Sequence, residues 1–266
     1  MPLPVALERG YHRVADFIAA RWPQPVPSPD QARQCKIIAH RGVFDNLRIM
    51  ENTLAAFELA RKTGVWGIEF DVRWTSDQAP VVIHDADLRR LFGVGAAVDR
   101  IPYDVLKAKA PAVPALSDVV MHFGGGMHLM IEVKVPLGSH PSLRYDRLRE
   151  VLGCLEPVQD YHLMSMQPEH LAAITDLPSE ALVAIAYARP DRLSRWVIRH
   201  HWGGLCAHYA LMRRSLVALH KAHRQKVGTG FASSRNSLFR EIKRGIDWIF
   251  SDQAATMQAT LKQEHT

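Results

Sequence analysis

The sequence predicts an α/β fold, a (β/α)8 barrel with a short insertion after the second strand and a helical extension at the N-terminus. Two patterns point there: eight short apolar runs from Lys36 onward, and helix-like stretches between most of them, as parallel strands with crossover helices require. A third is the gathering of polar residues at the C-terminal ends of the early runs, where barrels of this kind build their sites. The length of 266 residues allows one such barrel or two smaller domains, so the pattern decides.

Residues 1–21 place Leu7, Tyr11, Val14 and Ile18 at helical spacing, and the proline-rich WPQPVPSPD (22–30) ends that pattern. Residues 1–30 therefore read as a helix and linker, and 31–266 as the barrel domain. The expected strands are KIIAH (36–40), GIEFDV (67–72), HLMIEVK (128–134), HLMSM (162–166), LVAIAY (182–187), GLCAHY (204–209), KVGTGF (226–231) and DWIFSD (247–252). Stretches such as ENTLAAFELARKTG, PEHLAAITDL and RRSLVALHKAHR supply the helices between them. VVIHD (81–85) follows the second strand after only RWTSDQAP, too short for a crossover helix; it reads as a hairpin-like excursion. The segment from there to about Pro114 is then an insertion above the barrel mouth.

At 47% hydrophobic and 23% charged residues, the chain is composed like an ordinary globular protein able to bury a sizeable core. Three cysteines, Cys35, Cys154 and Cys206, without a Cys-x-x-Cys pair argue against a disulfide framework or a zinc knuckle and for a reducing compartment. No run approaches the roughly 18 apolar residues of a membrane span, and Glu8, Arg9 and His12 do not suit a signal peptide. A cytoplasmic protein is expected, with peripheral membrane contact through the N-terminal helix as the further option. The net charge of +6 favours an anionic partner, either a phosphate ester or a lipid surface. Basic residues without interleaved aromatics argue against nucleic acid. Oligomeric state is not encoded in any feature of this kind.

The strand ends carry the chemistry. The first strand ends in His40 and Arg41, the second carries Glu69 and Asp71, the excursion ends in His84 and Asp85, and the third strand carries Glu132 and Lys134. Side chains at i and i+2 share a face of a strand, so Glu69 and Asp71 point together, and burying two such charges needs compensation. Three carboxylates without thiolates suit a hard cation, Mg2+ or Ca2+. His40 and His84, from different segments, can flank a reacting phosphorus as general base and general acid. His122, His128, His200, His201, His220 and His223 fit no ligand spacing.

IIAHRG, ENTLAAFELARKTGVWGIEFDVRWTSDQAPVVIHD and IEVK together resemble the glycerophosphodiester phosphodiesterase family in motif order and spacing, densely over 36–90 and more thinly to 253. The resemblance implies a TIM barrel that hydrolyses glycerophosphodiesters to an alcohol and glycerol 3-phosphate with a divalent metal, Mn2+ being a further candidate. It implies His40 and His84 as catalytic residues, Glu69, Asp71 and Glu132 as metal ligands, Arg41 and Lys134 as phosphate-binding cations, and Glu51 and Asn52 as supporting residues. Where the family often has Trp-Thr-Val-Asn, this chain reads GTGFASSRN (228–236), and loss of the indole is expected to open the site on one side. Two other expectations stand beside hydrolysis of small glycerophosphodiesters. One is lysophospholipase D or sphingomyelinase D-like action on lysolipids, and the other a non-catalytic barrel that binds phosphodiesters or membranes.

Overall fold

The computed structural model describes residues 20–137, 141–171 and 174–264. The helix expected over residues 1–21 lies, except for its last two positions, outside the described residues.

Nine strands form one sheet: β1 (Lys36–His40), β2 (Gly67–Trp74), β3 (Pro80–Val82), β4 (His128–Val133), β5 (Tyr161–Ser165), β6 (Leu182–Ala186), β7 (Gly204–His208), β8 (Lys226–Gly230) and β9 (Trp248–Ser251). The order β1-β9-β8-β7-β6-β5-β4-β2, with β1 pairing back to β2, closes eight parallel strands into a barrel. Each of the eight expected runs supplies one of them. The excursion is β3, antiparallel to β2 with Val72 opposite Val82; it ends at Val82, so His84 and Asp85 stand in the loop beyond it.

The helices are α1 (Pro29–Gln34), α2 (Leu54–Thr63), α3 (Arg89–Phe92), α4 (Tyr103–Lys109), α5 (Leu116–Phe123), α6 (Pro141–Leu152), α7 (Pro190–Arg199), α8 (Arg214–Ala222), α9 (Arg235–Lys243) and α10 (Ala254–Gln263). Helix α2 shows how the sequence sets such an element. The Thr53 hydroxyl caps its N-terminus by accepting from Ala56 N, Gly64 ends it in the left-handed region at φ 77°, and Ala56, Phe57 and Ala60 form the face it buries. PEHLAAITDL differs from expectation. Among the described residues of the β5–β6 crossover the helical turns are the short 3-10 segments Pro168–His170 and Ser179–Ala181. Leu171 and Ile174 are nevertheless buried in the core that covers the strands.

Alternation along the strands separates two cores. Residues such as Ile37, Phe70, Leu129 and Leu163 face the helices. Ile38, Met130, Met164, Val183, Cys206, Trp248 and Phe250 fill the barrel interior. Gly228 is required there, because a Cβ would lie 2.4 Å from Cys206 Sγ and 3.0 Å from the Phe250 ring. The insertion after β3 has its own small core of Val81, Ile83, Leu88, Val98, Leu106 and Val113, which explains how a segment with only short helices holds its shape over the mouth. The proline-rich stretch is tied to the barrel: Asn236, on α9, donates from Nδ2 to Ala20 O at 2.6 Å and accepts from Gln24 N at 3.2 Å.

At the N-terminal end of the strands, His128 Nε2 lies 2.7 Å from His162 Nδ1, and His128 Nδ1 lies 2.9 Å from Gln159 O. A carbonyl only accepts, so His128 carries its proton on Nδ1, and His162 donates to its Nε2; both rings are neutral. Burial pushes His128 down to about 4 and His162 to about 3, with the neighbouring His128 and Lys36 adding to the effect on His162. The unfolded chain, with histidines near 6.5, then takes up protons that the folded state refuses. Stability is therefore present above about pH 6.5 and lost as pH falls toward 4, by up to ~1.4 kcal/mol per pH unit for each ring. Denaturant titrations at pH 7, 5.5 and 4.5 should show a shallower loss for His162→Leu than for the wild type; identical slopes would remove the pair as the cause.

Candidate active site

The register of the barrel assembles the site. His40 on β1 sits opposite Glu69 on β2, and Asp71 sits opposite Glu132 on β4. The i, i+2 spacing of Glu69 and Asp71 turns both into the mouth, and one carboxylate oxygen from each of Glu69, Asp71 and Glu132 lies within 4.8 Å of the others. All three are buried, Asp71 completely.

The surrounding cations divide unequally. Lys134 Nζ stands 3.3 Å from Asp71 Oδ1 and 2.9 Å from Glu132 Oε1, and Arg41 Nε stands 3.3 Å from Asp71 Oδ2. Burial alone would raise Asp71, but Lys134 and Arg41 overrule it and hold the carboxyl well below its usual range. Glu69 is left with less. Burial, then the Asp71 charge, push it up to about 8, only partly opposed by His40. Asp71 Oδ1, although buried, accepts no hydrogen bond. A cluster of this kind, with hard oxygen donors, one carboxyl forced toward its neutral form and one acceptor position open, fits a divalent cation.

Two histidines flank the cluster, each held by a carboxylate. His40 Nδ1 lies 2.6 Å from Asp252 Oδ1, just beyond β9, and its Nε2 lies 3.7 Å from Glu69 Oε2. His84 Nδ1 lies 2.7 Å from Asp85 Oδ1. The aspartates accept from Nδ1, which fixes each ring and leaves Nε2 for the mouth. Burial and Arg41 push His40 down, but Glu69 and Asp252 outweigh them and hold it above its ordinary value; burial holds His84 below.

The loop after β1 is shaped by backbone constraints. Gly42 has φ 87°, and a Cβ there would lie 2.8 Å from the Ala56 backbone at the start of α2. Arg41 and Asn52 both occupy the left-handed region at φ 58°, an uncommon conformation that clusters at functional positions. Asn52 donates from Nδ2 to Asp71 Oδ2 at 2.8 Å. Glu51 is buried between Arg41, 2.9 Å away, and Arg90, 2.6 Å away, and is held down near 2. Glu51 and Asn52 thus orient Arg41 and Asp71 from behind.

The structure brings together all nine residues expected at the site, and adds three. Asp252 closes the last strand in the position the strand-end rule marks as functional, so its signal was present in DWIFSD. Arg90 bridges Glu51 and Asp85, at 2.5 Å from Asp85 Oδ2, across the insertion, a contact with no sequence spacing to reveal it. Phe231, just past β8, adds an aromatic wall: its ring and that of His40 meet in a T-shaped contact with centroids 4.7 Å apart. Of these, His40, Arg41, Glu69, His84, Glu132, Lys134 and Phe231 line a cavity of about 300 Å3.

Residues 40–256 match the model of the glycerophosphoryl diester phosphodiesterase family. A Bacillus altitudinis glycerophosphodiester phosphodiesterase is 25% identical over 234 residues, 82% of this chain and 94% of its own length. A Mycobacterium tuberculosis protein named probable glycerophosphodiester phosphodiesterase 2 is 36% identical over 110 residues, a match spanning 40% of this chain and 41% of that relative. The crystal structure of an Oleispira antarctica phosphodiesterase in complex with the product sn-glycerol-3-phosphate superposes with a TM-score of 0.70 at 23% identity, covering 85% of this chain and 96% of that one. The family match runs from His40 at the end of the first strand to beyond Asp252 at the end of the last, so it takes in every group of the site. The chain belongs to the glycerophosphoryl diester phosphodiesterase family.

Proposed function

We propose that the protein hydrolyses glycerophosphodiesters to an alcohol and glycerol 3-phosphate, using a divalent metal and the His40–His84 pair. The observation that carries this reading is the placement of two carboxylate-held imidazoles around one three-carboxylate cluster. The product bound in the Oleispira antarctica relative supports the choice of substrate.

Glu69, Asp71 and Glu132 would hold the ion, with Mg2+ and Ca2+ the best matches to an all-oxygen donor set and Mn2+ a further candidate. When bound, it supplies positive charge against a non-bridging oxygen of the phosphate as negative charge grows in the transition state. Arg41 and Lys134, already fixed by Glu51, Asp71 and Glu132, present two further cations to the same phosphate without reorganisation. One histidine takes the proton from the attacking hydroxyl at Nε2 and the other gives a proton to the leaving alkoxide; the aspartate behind each ring keeps its Nδ1 proton in place and steadies the imidazolium. The attacker is either water, whose oxygen replaces the leaving alcohol on phosphorus, or a neighbouring glycerol hydroxyl, which expels the alcohol to give a cyclic phosphate that water then opens.

The barrel, residues 31–266, is read as the catalytic unit. The described residues contain no helix long and apolar enough to cross a membrane. A screen of glycerophosphodiesters against Mg2+, Mn2+ and Ca2+, with products identified by mass spectrometry, should release glycerol 3-phosphate with at least one ion and none after chelation. Turnover undiminished by chelator would break the metal reading.

A further inference from the structure

The mouth of the barrel is chemically two-sided. The charged residues that line the cavity, Arg41, Glu69, Glu132 and Lys134, come from β1, β2 and β4 and the loop after β1, with His40 and His84 beside them. The opposite wall, from β5 round to β9, is built from Met164, Met166, Ile185, Leu211, Phe231 and Phe250. Among the described residues, no carboxylate lines that wall; its titratable members are Tyr187, Cys206 and His208, and Asp252, just past β9, does not line the cavity and is engaged with His40 Nδ1 at 2.6 Å.

A phosphodiester has two alcohol arms, and the two walls offer them different solvents. The phosphate, and a glycerol arm with two hydroxyls to satisfy, belong on the side rich in donors and acceptors, because a hydroxyl left unpaired against apolar carbon is costly. The second arm must then lie along the β5–β9 wall. We propose, building on the phosphodiesterase reading above, that this wall is the subsite for the second alcohol and that it selects an uncharged apolar alcohol over a cationic one, with Ile185, Leu211 and Phe231 reading it. An ammonium group there would give up hydration without a carboxylate to pair with, and Arg41 and Lys134 across the mouth add like charge. Aromatic faces can bind quaternary ammonium; such a contact from Phe231 or Phe250 would show as equal or better use of choline in the comparison below.

The test uses the full chain with its best metal and a pair of isosteres. Glycerophosphocholine is compared with the glycerol phosphodiester of 3,3-dimethylbutanol, in which carbon replaces the quaternary nitrogen. The neutral diester is expected to show at least ~10-fold higher kcat/KM, by the loss of unpaired ionic desolvation. In a series of n-alkyl glycerol phosphodiesters, kcat/KM should rise about fourfold per methylene until the wall is covered. Leu211→Asn should flatten that dependence. Equal or better use of choline, or a chain-length profile that is flat in the wild type, would overturn the subsite assignment while leaving the hydrolase reading intact. Failure to hydrolyse any member of either set would instead bring down the hydrolase reading and this subsite with it.

Discussion

Glu69→Gln is expected to make the metal-free protein more stable at pH 8 than the wild type, while removing its stabilisation by divalent ions. The two effects share one cause. Glu69 is buried beside Asp71 and Glu132, and its carboxyl is pushed up from 4.5 to about 8. A group whose pKa is raised on folding contributes its full stability below the unfolded value, and loses that contribution as pH rises through the folded value. The Glu69 contribution to wild-type stability should thus decline between about pH 4.5 and 8, and a glutamine, which cannot ionise, should not share that decline, so the stability difference between variant and wild type should grow over that range. The amide of the variant would keep an oxygen to accept from Arg41 N, which lies 3.1 Å from Glu69 Oε2 in the wild type, so the loop after β1 retains its anchor.

Ion binding reverses the comparison. In the wild type, binding at about 100 times Kd adds about 2.7 kcal/mol, roughly 5 °C or more in thermal midpoint for a chain of this size, and it displaces the Glu69 proton, so affinity should strengthen from pH 6 to 8. Glu69→Gln and Asp71→Asn remove a ligand outright, so their affinity should fall by more than the ~10–100-fold that loss of an outer-shell partner costs. Thermal melts with and without Mg2+, Mn2+ or Ca2+ check both halves. A Glu69→Gln protein that melts below the wild type at pH 8 and still gains from the ion would show that the carboxylate is structural.

The residues that made the fold legible were those whose signal is local. The eight parallel strands could be read from apolar runs because both faces of such strands are covered, and the helix after Thr53 could be read because its cap, buried face and terminal glycine fall within a dozen residues. PEHLAAITDL misled because its apolar spacing reports the burial of Leu171 and Ile174, which a crossover whose described helical turns are short 3-10 segments also achieves. Site residues followed the same division. Glu69 and Asp71 were legible because a strand fixes the direction of side chains two apart, and Glu132 because the parallel neighbour repeats that geometry. Arg90 was not, since its contacts with Glu51 and Asp85 depend on how the insertion folds back. Phe231 was not legible either, because the direction of a side chain just past a strand end is set by the loop and not by strand alternation.

The histidines carry the other large effect. His40→Ala and His84→Ala should each lower kcat by at least ~10²-fold without abolishing ion-dependent thermal stabilisation, since the acidic cluster remains. The aspartates behind them act through the rings and should separate by exposure. Asp85 is 18% exposed and shared with Arg90, whereas Asp252 is 42% exposed, so solvent screens the Asp252 charge more strongly. Asparagine keeps the shape but loses the charge that steadies an imidazolium. Asp252→Asn should therefore cost about tenfold in kcat, and Asp85→Asn several times more, both with KM little changed, because neither lines the cavity. A merely structural role would instead lower the thermal midpoint and leave the pH dependence of kcat where it was. If the charge is what matters, Asp252→Asn should shift the limb of the pH–rate profile that belongs to His40 to lower pH, because Asp252 is one of the groups that hold that ring's pKa up. Profiles for wild type and variant that superpose after scaling would show that Asp252 only props the ring in place.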